Sequence, residues 1–204
     1  ATAPNTCRLA PMASSTHAST HPLIAHKITQ MRKAKCGPKY LNQLLREVST
    51  FLCYEATQDL NLEPVDVLTT LGNEKGNRLR DRVGIVPVLR GGLGMLDAMT
   101  EMVSNAQVYH LGIYRDKTAL LPVEYYNKLP KRVTVHTVFV LDPCPISGAT
   151  AIAAIDILKS WGSSKLRIKF ICISASEEAV AKISAAHPDV PIHVGLIDRL
   201  SDAD

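Results

Sequence analysis

The first 46 residues of the chain contain no acidic side chain, although the whole chain has 19 Asp and Glu residues against 23 Lys and Arg. Residues 1–20 are rich in Ala, Ser, Thr and Pro, and their only lysine or arginine is Arg8. Organelle-targeting segments carry several basic residues and an amphipathic stripe, both absent here, so a targeting remnant is the less favoured alternative. We therefore predict that residues 1–20 form a disordered tail and that residues 21–204 form a single domain.

The chain also lacks long hydrophobic runs, paired cysteines and basic blocks. No stretch of about 18 apolar residues is present, so no membrane-spanning helix is predicted. The five cysteines include no C-x-x-C pair, which argues against a zinc site or a disulfide framework and favours a reducing compartment such as the cytoplasm. A net charge of +4 without a basic block hardly supports a nucleic-acid partner and gives weak support for an anionic small molecule.

Strand-like and helix-like segments alternate along most of the chain. Continuous or nearly continuous apolar runs are typical of strands that helices cover on both faces. Strands are predicted over residues 85–89, 107–114, 138–141, 166–175 and 190–197. Helical spacing of apolar residues predicts helices over residues 39–56, 95–103 and 151–161, and after Ser176. The alternation predicts an α/β domain with a largely parallel central sheet and helices on both faces.

Two segments do not follow this alternation. Residues 61–82 contain Pro64, Gly72 and Gly76 among several charges, and are predicted to be a loop, with a small edge hairpin as the alternative. Residues 122–130 are bounded by prolines and alternate in part, which predicts a projecting β-arm rather than a core strand. Such an arm would contact a partner or move as a lid, and simple edge packing is the alternative.

A polar loop follows the strand predicted over residues 138–141. Asp142 ends the apolar run, two prolines stiffen the turn, and Ser147-Gly148-Ala149-Thr150 offers hydroxyls and N–H groups at the start of a helix. A helix N-terminus carries partial positive charge and unsatisfied N–H groups, both of which favour a bound phosphate. The loop therefore predicts a phosphate site, and an ordinary capped turn is the alternative.

Two arginines are predicted to lie near that loop. Arg90 follows the first predicted strand and precedes Gly91-Gly92-Leu93-Gly94, whose glycines let the backbone approach a ligand. Arg115 follows the second predicted strand. Because parallel strands end at one edge of a sheet, both arginines and the Asp142 loop are predicted to face one crevice. A plain turn at Arg90 and a surface ion pair between Arg115 and Asp116 are the alternatives.

These residues belong to a longer series of motifs that occurs in one order along the chain. The motifs are His21-Pro22-Leu23, Tyr54-Glu55-Ala56-Thr57, residues 86–94, Tyr114-Arg115-Asp116, residues 122–126, Lys128-Leu129-Pro130, Asp142-Pro143 and residues 186–190. In this order they resemble the uracil phosphoribosyltransferase family over residues 21–199. The resemblance implies a type I phosphoribosyltransferase fold and transfer of a phosphoribosyl group from phosphoribosyl pyrophosphate to uracil, giving UMP and pyrophosphate. It also implies Mg²⁺ carried by the pyrophosphate, no metal ligand from protein side chains, and a homodimer or tetramer.

By this resemblance, Asp142 and Arg115 are the expected catalytic residues. Arg90 and Arg115 are expected to contact the pyrophosphate and Asp142 the ribose hydroxyls, where charges separate as an oxocarbenium-like transition state loses pyrophosphate. The residues expected to bind phosphoribosyl pyrophosphate are Arg90, Gly91, Arg115, Asp142, Pro143, Cys144, Pro145, Ile146, Ser147, Gly148, Ala149 and Thr150. No residue is assigned to uracil.

The chain departs from the family in two places. A threonine, two glycines and a serine usually stand where this chain has Ser147-Gly148-Ala149-Thr150, and a long apolar pair where it has Cys144-Pro145. The hydroxyls are preserved in kind, so phosphate binding is expected to survive. The family's uracil-reading segment follows the stretch that is Ile197-Asp198-Arg199 here, so we expect a sequence that ends at Asp204 to be truncated. The alternatives are a catalytically silent nucleotide-binding or regulatory protein and a phosphoribosyltransferase for another base.

Overall fold

A computed structural model describes residues 16–115, 122–162 and 165–199. Within these ranges the helices are α1 (Pro22–Met31), α2 (Pro38–Thr57), α3 (Leu93–Met102), α4 (Ala149–Trp161) and α5 (Glu177–Ala186). The strands are β1 (Thr16–Ala18), β2 (Leu62–Thr69), β3 (Gly72–Leu79), β4 (Val83–Leu89), β5 (Gln107–Val108), β6 (Leu111–Arg115), β7 (Pro122–Asn127), β8 (Thr137–Leu141), β9 (Arg167–Ser176) and β10 (Ile192–Asp198). The predicted α/β class is confirmed.

The main sheet is largely parallel, as predicted. Its strands follow the order β1-β10-β9-β8-β4-β6-β7, with β5 also paired to β4. Only the pair of β6 and β7 is antiparallel among the strands described in this sheet. Residues 83–88 of β4 and all of β8 are buried without interruption, because helices cover both faces of these central strands. Since parallel strands end on the same side, the loops after β4 and β8 lie next to each other.

Helices pack on both faces of the sheet, and alternate strand residues supply the two cores. Ile85, Phe139 and Leu141 share one core with α1, α2 and α3. Val138 and Val140 share the other core with α4 and α5. α3 therefore packs on one face of the sheet and α4 on the other. Within the described ranges, no helix combines the length and the apolar character that crossing a bilayer requires.

The strand predicted over residues 107–114 is present in two pieces, β5 and β6. Both pieces pair with β4 in one common register, in which Pro87 lies opposite His110. Proline has no N–H group to donate to a neighbouring strand. The ladder is therefore interrupted at Tyr109 and His110, and it resumes where β4 again offers a donor.

The disordered tail predicted for residues 1–20 is wrong for residues 16–19. Thr16–Ala18 forms β1 and pairs in parallel with β10, and the Ser19 N–H donates to the Val194 carbonyl at 2.9 Å. This strand covers the edge of β10, whose N–H and C=O groups would otherwise be open to another chain. Residues 1–15 lie outside the described residues.

The segment predicted over residues 61–82 as a loop, with a small edge hairpin as the alternative, is a hairpin. β2 and β3 have 8 residues each, pair antiparallel and make a two-stranded sheet of their own. Gly72 has a φ of 129°, which other residues rarely adopt, and it provides the turn. Leu68 and Leu71 at the tip are 81% and 91% exposed. The hairpin has little apolar core of its own, so contacts at its base must hold it.

Residues 122–127 of the predicted β-arm form β7, the strand that pairs antiparallel with β6 at the edge of the sheet. β6 pairs with β4 only through Leu111 and Gly112. The remainder of β6 pairs with β7 alone, so the two strands extend past the sheet as a ribbon. Asp116, the alternative ion-pair partner of Arg115, lies outside the described residues.

Asp81 anchors the base of the β2–β3 hairpin. Its carboxylate accepts hydrogen bonds from the Asn61 N–H at 2.9 Å and from the Arg167 guanidinium of β9 at 2.5 Å. Only 8% of the Asp81 side chain is exposed. Arg167 also donates to the Thr137 hydroxyl of β8 at 2.8 Å. One largely buried carboxylate thus ties the hairpin to the main sheet.

Asp81→Ala is expected to lower the free energy of unfolding by about 2 kcal/mol, because it leaves a partly buried guanidinium without its carboxylate. Urea unfolding measures the change. Asp66→Ala is the matched control, since Asp66 and Lys75 pair within the same hairpin but their side chains are 74% and 77% exposed. Its loss is expected to stay below about 0.5 kcal/mol. Equal losses in the two variants would contradict the anchoring role of Asp81.

Candidate active site

A cleft of about 290 Å³ lies where β4 and β8 end, at the edge where open parallel sheets bind ligands. The loop after β4 forms one side, and the loop after β8 with the first turn of α4 forms the other. The lining residues are Val88, Leu89, Gly91, Asp142, Cys144, Pro145, Ile146, Ser147, Gly148, Thr150 and Ala151. The Asp142 loop, which was predicted to share a crevice with both arginines, therefore shares it with the glycine loop that follows Arg90.

The loop after β4 approaches β8 so closely that only glycine fits. A Cβ atom at Gly92 would lie 2.3 Å from the Leu141 carbonyl oxygen and 2.6 Å from the backbone nitrogen of Val88. The Gly92 N–H donates to the Val88 carbonyl at 2.8 Å, which turns the chain into α3. This close approach places Gly91 beside the loop that begins with Asp142.

The loop after β8 is held by the backbone of β9. The Asp142 N–H donates to the Ile171 carbonyl at 3.2 Å. The Pro143 carbonyl accepts the N–H groups of Ile173 and Ser174 at 3.0 and 3.1 Å. The two prolines of the loop lack donors but keep their carbonyl acceptors. Because β9 continues past the end of β8, its N–H groups can satisfy those acceptors and fix the loop.

α4 begins directly at the cleft. Gly148 precedes it with a left-handed φ of 74°, a conformation that glycine adopts without strain. Gly148 has no side chain to cap the helix, so the first N–H groups of α4 stay available to a ligand. Ser147 and Thr150 line the cleft at the same end. Helix N–H groups, hydroxyls and the positive end of the helix dipole thus converge at one point, which suits a phosphate.

Asp142 is the only acidic side chain among the described residues that line the cleft. Burial raises the pKa of its carboxyl above the ordinary value, and a hydrogen bond from the Cys144 N–H opposes the shift. No charge of a described lysine or arginine contributes to the pKa shift. Desolvation of a carboxylate without a cationic partner costs free energy, and such groups concentrate at functional sites.

The model of the uracil phosphoribosyltransferase family matches residues 18–204 of the sequence. This chain belongs to that family. The uracil phosphoribosyltransferase of Roseiflexus sp. (strain RS-1) is 49% identical over 180 residues, which cover 88% of this chain and 86% of that protein. The uracil phosphoribosyltransferase of Dictyoglomus thermophilum is 44% identical, over 89% of this chain and 88% of its own length.

Solved structures agree with the fold of the chain. The AQ2163 protein of Aquifex aeolicus superposes with a TM-score of 0.83 at 34% identity, covering 91% of this chain and 88% of that chain. A hypoxanthine phosphoribosyltransferase of Staphylococcus aureus superposes with a TM-score of 0.53 at 9% identity, over 85% and 82% of the two chains. At that identity the likeness concerns the fold alone. The predicted phosphoribosyltransferase fold is confirmed.

Most of the residues that the family resemblance assigned to the donor lie in the cleft. Those that line it are Gly91, Asp142, Cys144, Pro145, Ile146, Ser147, Gly148 and Thr150. Pro143 and Ala149 belong to the same loop and helix start but are not among the lining residues. Cys144 is exposed, and its Sγ lies 3.5 Å from the Ser174 Oγ. Most of the loop residues that the resemblance assigned to the donor therefore border the cleft, and their role in binding it stays a prediction.

Arg90 is not among the described residues that line the cleft. Arg90 is exposed and lies between Leu89 and Gly91, both of which line the cleft. The peptide bond between Leu89 and Arg90 is cis. The backbone of Arg115 ends β6, opposite Pro122. Because β6 runs parallel to β4 and is its neighbour, both arginines follow strands that end toward the same edge of the sheet.

Sequence reasoning missed Val88, Leu89 and Ala151, which complete the lining. The first two were predicted only as strand residues, and Ala151 only as part of a helix. A ligand site of this kind is bordered by the last residues of the strand before the glycine loop and by the first turn of the helix after the phosphate-binding turn. Their position next to these loops was the sequence signal that could have identified the three residues. In the described ranges, no group of three or more His, Cys, Asp or Glu side chains is placed to hold a metal ion.

Proposed function

We propose that this chain transfers the phosphoribosyl group from phosphoribosyl pyrophosphate to uracil and releases UMP and pyrophosphate. The observation that carries the proposal is the cleft, where the N-terminus of α4, two hydroxyl side chains and the half-buried Asp142 carboxyl lie together. A helix N-terminus suits a phosphate, and a carboxylate suits ribose hydroxyls. Family membership supplies uracil as the acceptor base.

The 5-phosphate of the donor is assigned to the phosphate loop, which we define as residues 142–150. Ser147 and Thr150 would donate their hydroxyls, and the first N–H groups of α4 would donate beside them. Asp142, at the other end of the phosphate loop, would accept hydrogen bonds from the ribose hydroxyls. The donor would therefore lie along the phosphate loop with its ribose toward Asp142 and its 5-phosphate toward α4.

In the reaction, the bond from C1′ to the pyrophosphate oxygen breaks while the bond from uracil N1 to C1′ forms, and the N1 proton leaves to solvent. Positive charge develops on the ribose ring, and the ionised Asp142 carboxylate would stabilise it. Negative charge grows on the leaving group, to which Arg90 and Arg115 are assigned. Holding N1 against C1′ would supply much of the remaining acceleration.

Mg²⁺ is proposed to arrive on the pyrophosphate rather than at a protein site. This ion keeps several waters and commonly binds substrate phosphates together with one or two carboxylates. Among the described residues lining the cleft, Asp142 is the only carboxylate, which fits an ion held mainly by the substrate. When bound, the ion neutralises charge on the leaving group.

We also propose that the protein is a cytoplasmic homodimer or tetramer. The cysteines that the structure describes are all free thiols, as expected in a reducing compartment. The oligomer rests on the family resemblance. Gel filtration with light scattering would test the oligomeric state directly.

A turnover assay on the full chain with uracil, phosphoribosyl pyrophosphate and Mg²⁺ tests the proposed reaction. Arg115→Ala is expected to lower kcat/KM roughly 100-fold, because it removes one of the two cations assigned to the leaving group. Arg78→Ala is the control, since Arg78 lies on the separate β2–β3 sheet and pairs with Glu63 there. The control is expected to stay within about twofold of the wild type.

The turnover assay, combined with calorimetry, separates the competing functions. Wild-type turnover by Arg115→Ala would remove Arg115 from the mechanism. Calorimetric binding of phosphoribosyl pyrophosphate without any nucleotide product would favour a catalytically silent protein. Turnover with cytosine or a purine base in place of uracil would identify a phosphoribosyltransferase for another base.

A further inference from the structure

The phosphate loop depends on hydrogen bonds to β9 for its shape. Ile146 at its outer part is 60% exposed, so packing does not hold that residue. The loop carbonyls instead accept donors from the chain that follows β8. Pro143 is held by the N–H groups of Ile173 and Ser174. The carbonyls of Pro145 and Ile146 lie nearer the phosphate end and are both held by a single residue, Ser176.

Ser176 makes three hydrogen bonds at once. Its N–H donates to the Pro145 carbonyl at 3.2 Å, and its hydroxyl donates to the Ile146 carbonyl. The hydroxyl oxygen also accepts the Ala179 N–H at 2.9 Å, which makes Ser176 the N-cap of α5. The residue is 4% exposed. A single buried hydroxyl therefore joins the phosphate loop to the first turn of α5.

The first turn of α5 also contacts the start of α4. A Cβ atom at Gly148 would lie 3.1 Å from the Ala179 carbonyl oxygen and 3.2 Å from its Cα. Gly148 thus rests against the residue whose N–H the Ser176 hydroxyl caps. The Ser176 hydroxyl therefore holds residues 146–148 at two points. It binds the Ile146 carbonyl directly, and it caps Ala179, against which Gly148 packs.

We propose that Ser176 is a positioning residue for donor binding, whose hydroxyl sets the shape of residues 146–148 around the 5-phosphate. Ser176 touches no substrate atom and acts through the backbone of the phosphate loop. This role of Ser176 rests on one part of the proposed function, the binding of the phosphoribosyl donor by the phosphate loop. It adds a residue outside the cleft to those that determine donor affinity.

Substitutions of Ser176 separate this role from helix capping. Ser176→Ala removes both bonds of the hydroxyl, and Ser176→Gly removes them but leaves a residue that is well tolerated at a helix N-cap. Both variants are expected to raise the KM for phosphoribosyl pyrophosphate roughly fivefold, with kcat and the KM for uracil within about twofold of the wild type. Ser176→Thr keeps the hydroxyl and is expected to restore the KM. Calorimetric Kd values for the donor are expected to follow the same order.

Ser49→Ala is the matched control. Ser49 is 2% exposed, and its hydroxyl donates to the Leu45 carbonyl at 2.7 Å within α2, on the opposite face of the sheet. Its loss removes a buried serine hydroxyl without touching the phosphate loop. The variant is expected to lower the melting temperature while leaving the KM for phosphoribosyl pyrophosphate unchanged.

Donor KM and Kd values in Ser176→Ala and Ser176→Gly that equal those of the wild type would overturn the inference. A decrease in kcat without a change in donor KM would overturn it as well. So would a donor KM that stays raised in Ser176→Thr although that variant melts at the wild-type temperature. Calorimetry keeps the two proposals apart. If the wild type binds phosphoribosyl pyrophosphate without forming UMP, the proposed function fails and the Kd comparison still decides on Ser176. If the wild type does not bind the donor, both fail.

Discussion

Asp142→Asn is expected to lower kcat by about 1,000-fold while the melting temperature near neutral pH rises. The carboxylate is assigned to the ribose, where positive charge develops as pyrophosphate leaves, and asparagine keeps the shape of the side chain without its charge. An interaction that strengthens only in the transition state affects kcat more than KM. The KM for phosphoribosyl pyrophosphate is therefore expected to change far less than kcat.

The effect on stability follows from the burial of the same carboxyl. Burial raises the pKa of Asp142 in the folded protein. The folded state therefore keeps its proton over a pH range in which the unfolded chain has already released it, so stability falls as the pH rises through that range. Above the raised pKa, the ionised Asp142 carboxylate destabilises the folded state by the full free energy of its desolvation. Asparagine removes that charge, so Asp142→Asn is expected to lose this pH dependence and to melt at a higher temperature near neutral pH.

Single-turnover kinetics and thermal melts between about pH 4 and pH 8 measure both effects on the same preparations. Asp97→Asn is the control, because Asp97 is exposed on α3 and does not line the cleft. It is expected to match the wild type in both measurements. A wild-type kcat in Asp142→Asn would assign the ribose contact to another residue. A lower melting temperature of Asp142→Asn near neutral pH would mean that the carboxylate stabilises the fold rather than destabilises it.

The edge of the sheet that holds the cleft was predictable because its signals lie close together in the chain. The apolar run of β8 leads directly to Asp142, and the glycines after β4 follow their strand in the same way. A parallel sheet then brings the ends of separate strands to one edge without any further sequence signal. The position of the phosphate loop beside the cleft thus followed from local patterns and one rule of topology.

The parts that sequence reasoning missed depend on partners far away in the chain. β1 has three residues and pairs with β10, with Thr16 opposite Ile192, and no local pattern specifies such a partner. The β2–β3 hairpin is anchored through Asp81 to Arg167, which is equally remote. Ser176 was recognisable as a helix cap, but its bond to the phosphate loop exists only once β9 lies beside β8.

Gly92→Ala is expected to lower the free energy of unfolding by at least about 3 kcal/mol, which corresponds to a fall of roughly 10 °C in melting temperature. The added methyl group would lie 2.3 Å from the Leu141 carbonyl oxygen and 2.6 Å from the Val88 nitrogen. Both are backbone atoms of the central strands β8 and β4. These atoms cannot retreat as a flexible side chain can, so the ladder between the two strands must shift and the cleft must change shape with it.

Gly91→Ala is the matched comparison at the preceding residue. Its methyl group would meet the Pro143 ring at 3.3 Å, a contact that a small movement relieves, so its stability loss is expected to stay below about 1 kcal/mol. Because Gly91 lines the cleft, the methyl group would instead occupy space assigned to the donor and raise the KM for phosphoribosyl pyrophosphate. Circular dichroism melts of both variants, with donor KM values for Gly91→Ala, distinguish a glycine required for packing from one required for binding. A wild-type melting temperature for Gly92→Ala would contradict the close approach of the two loops on which the shape of the cleft depends.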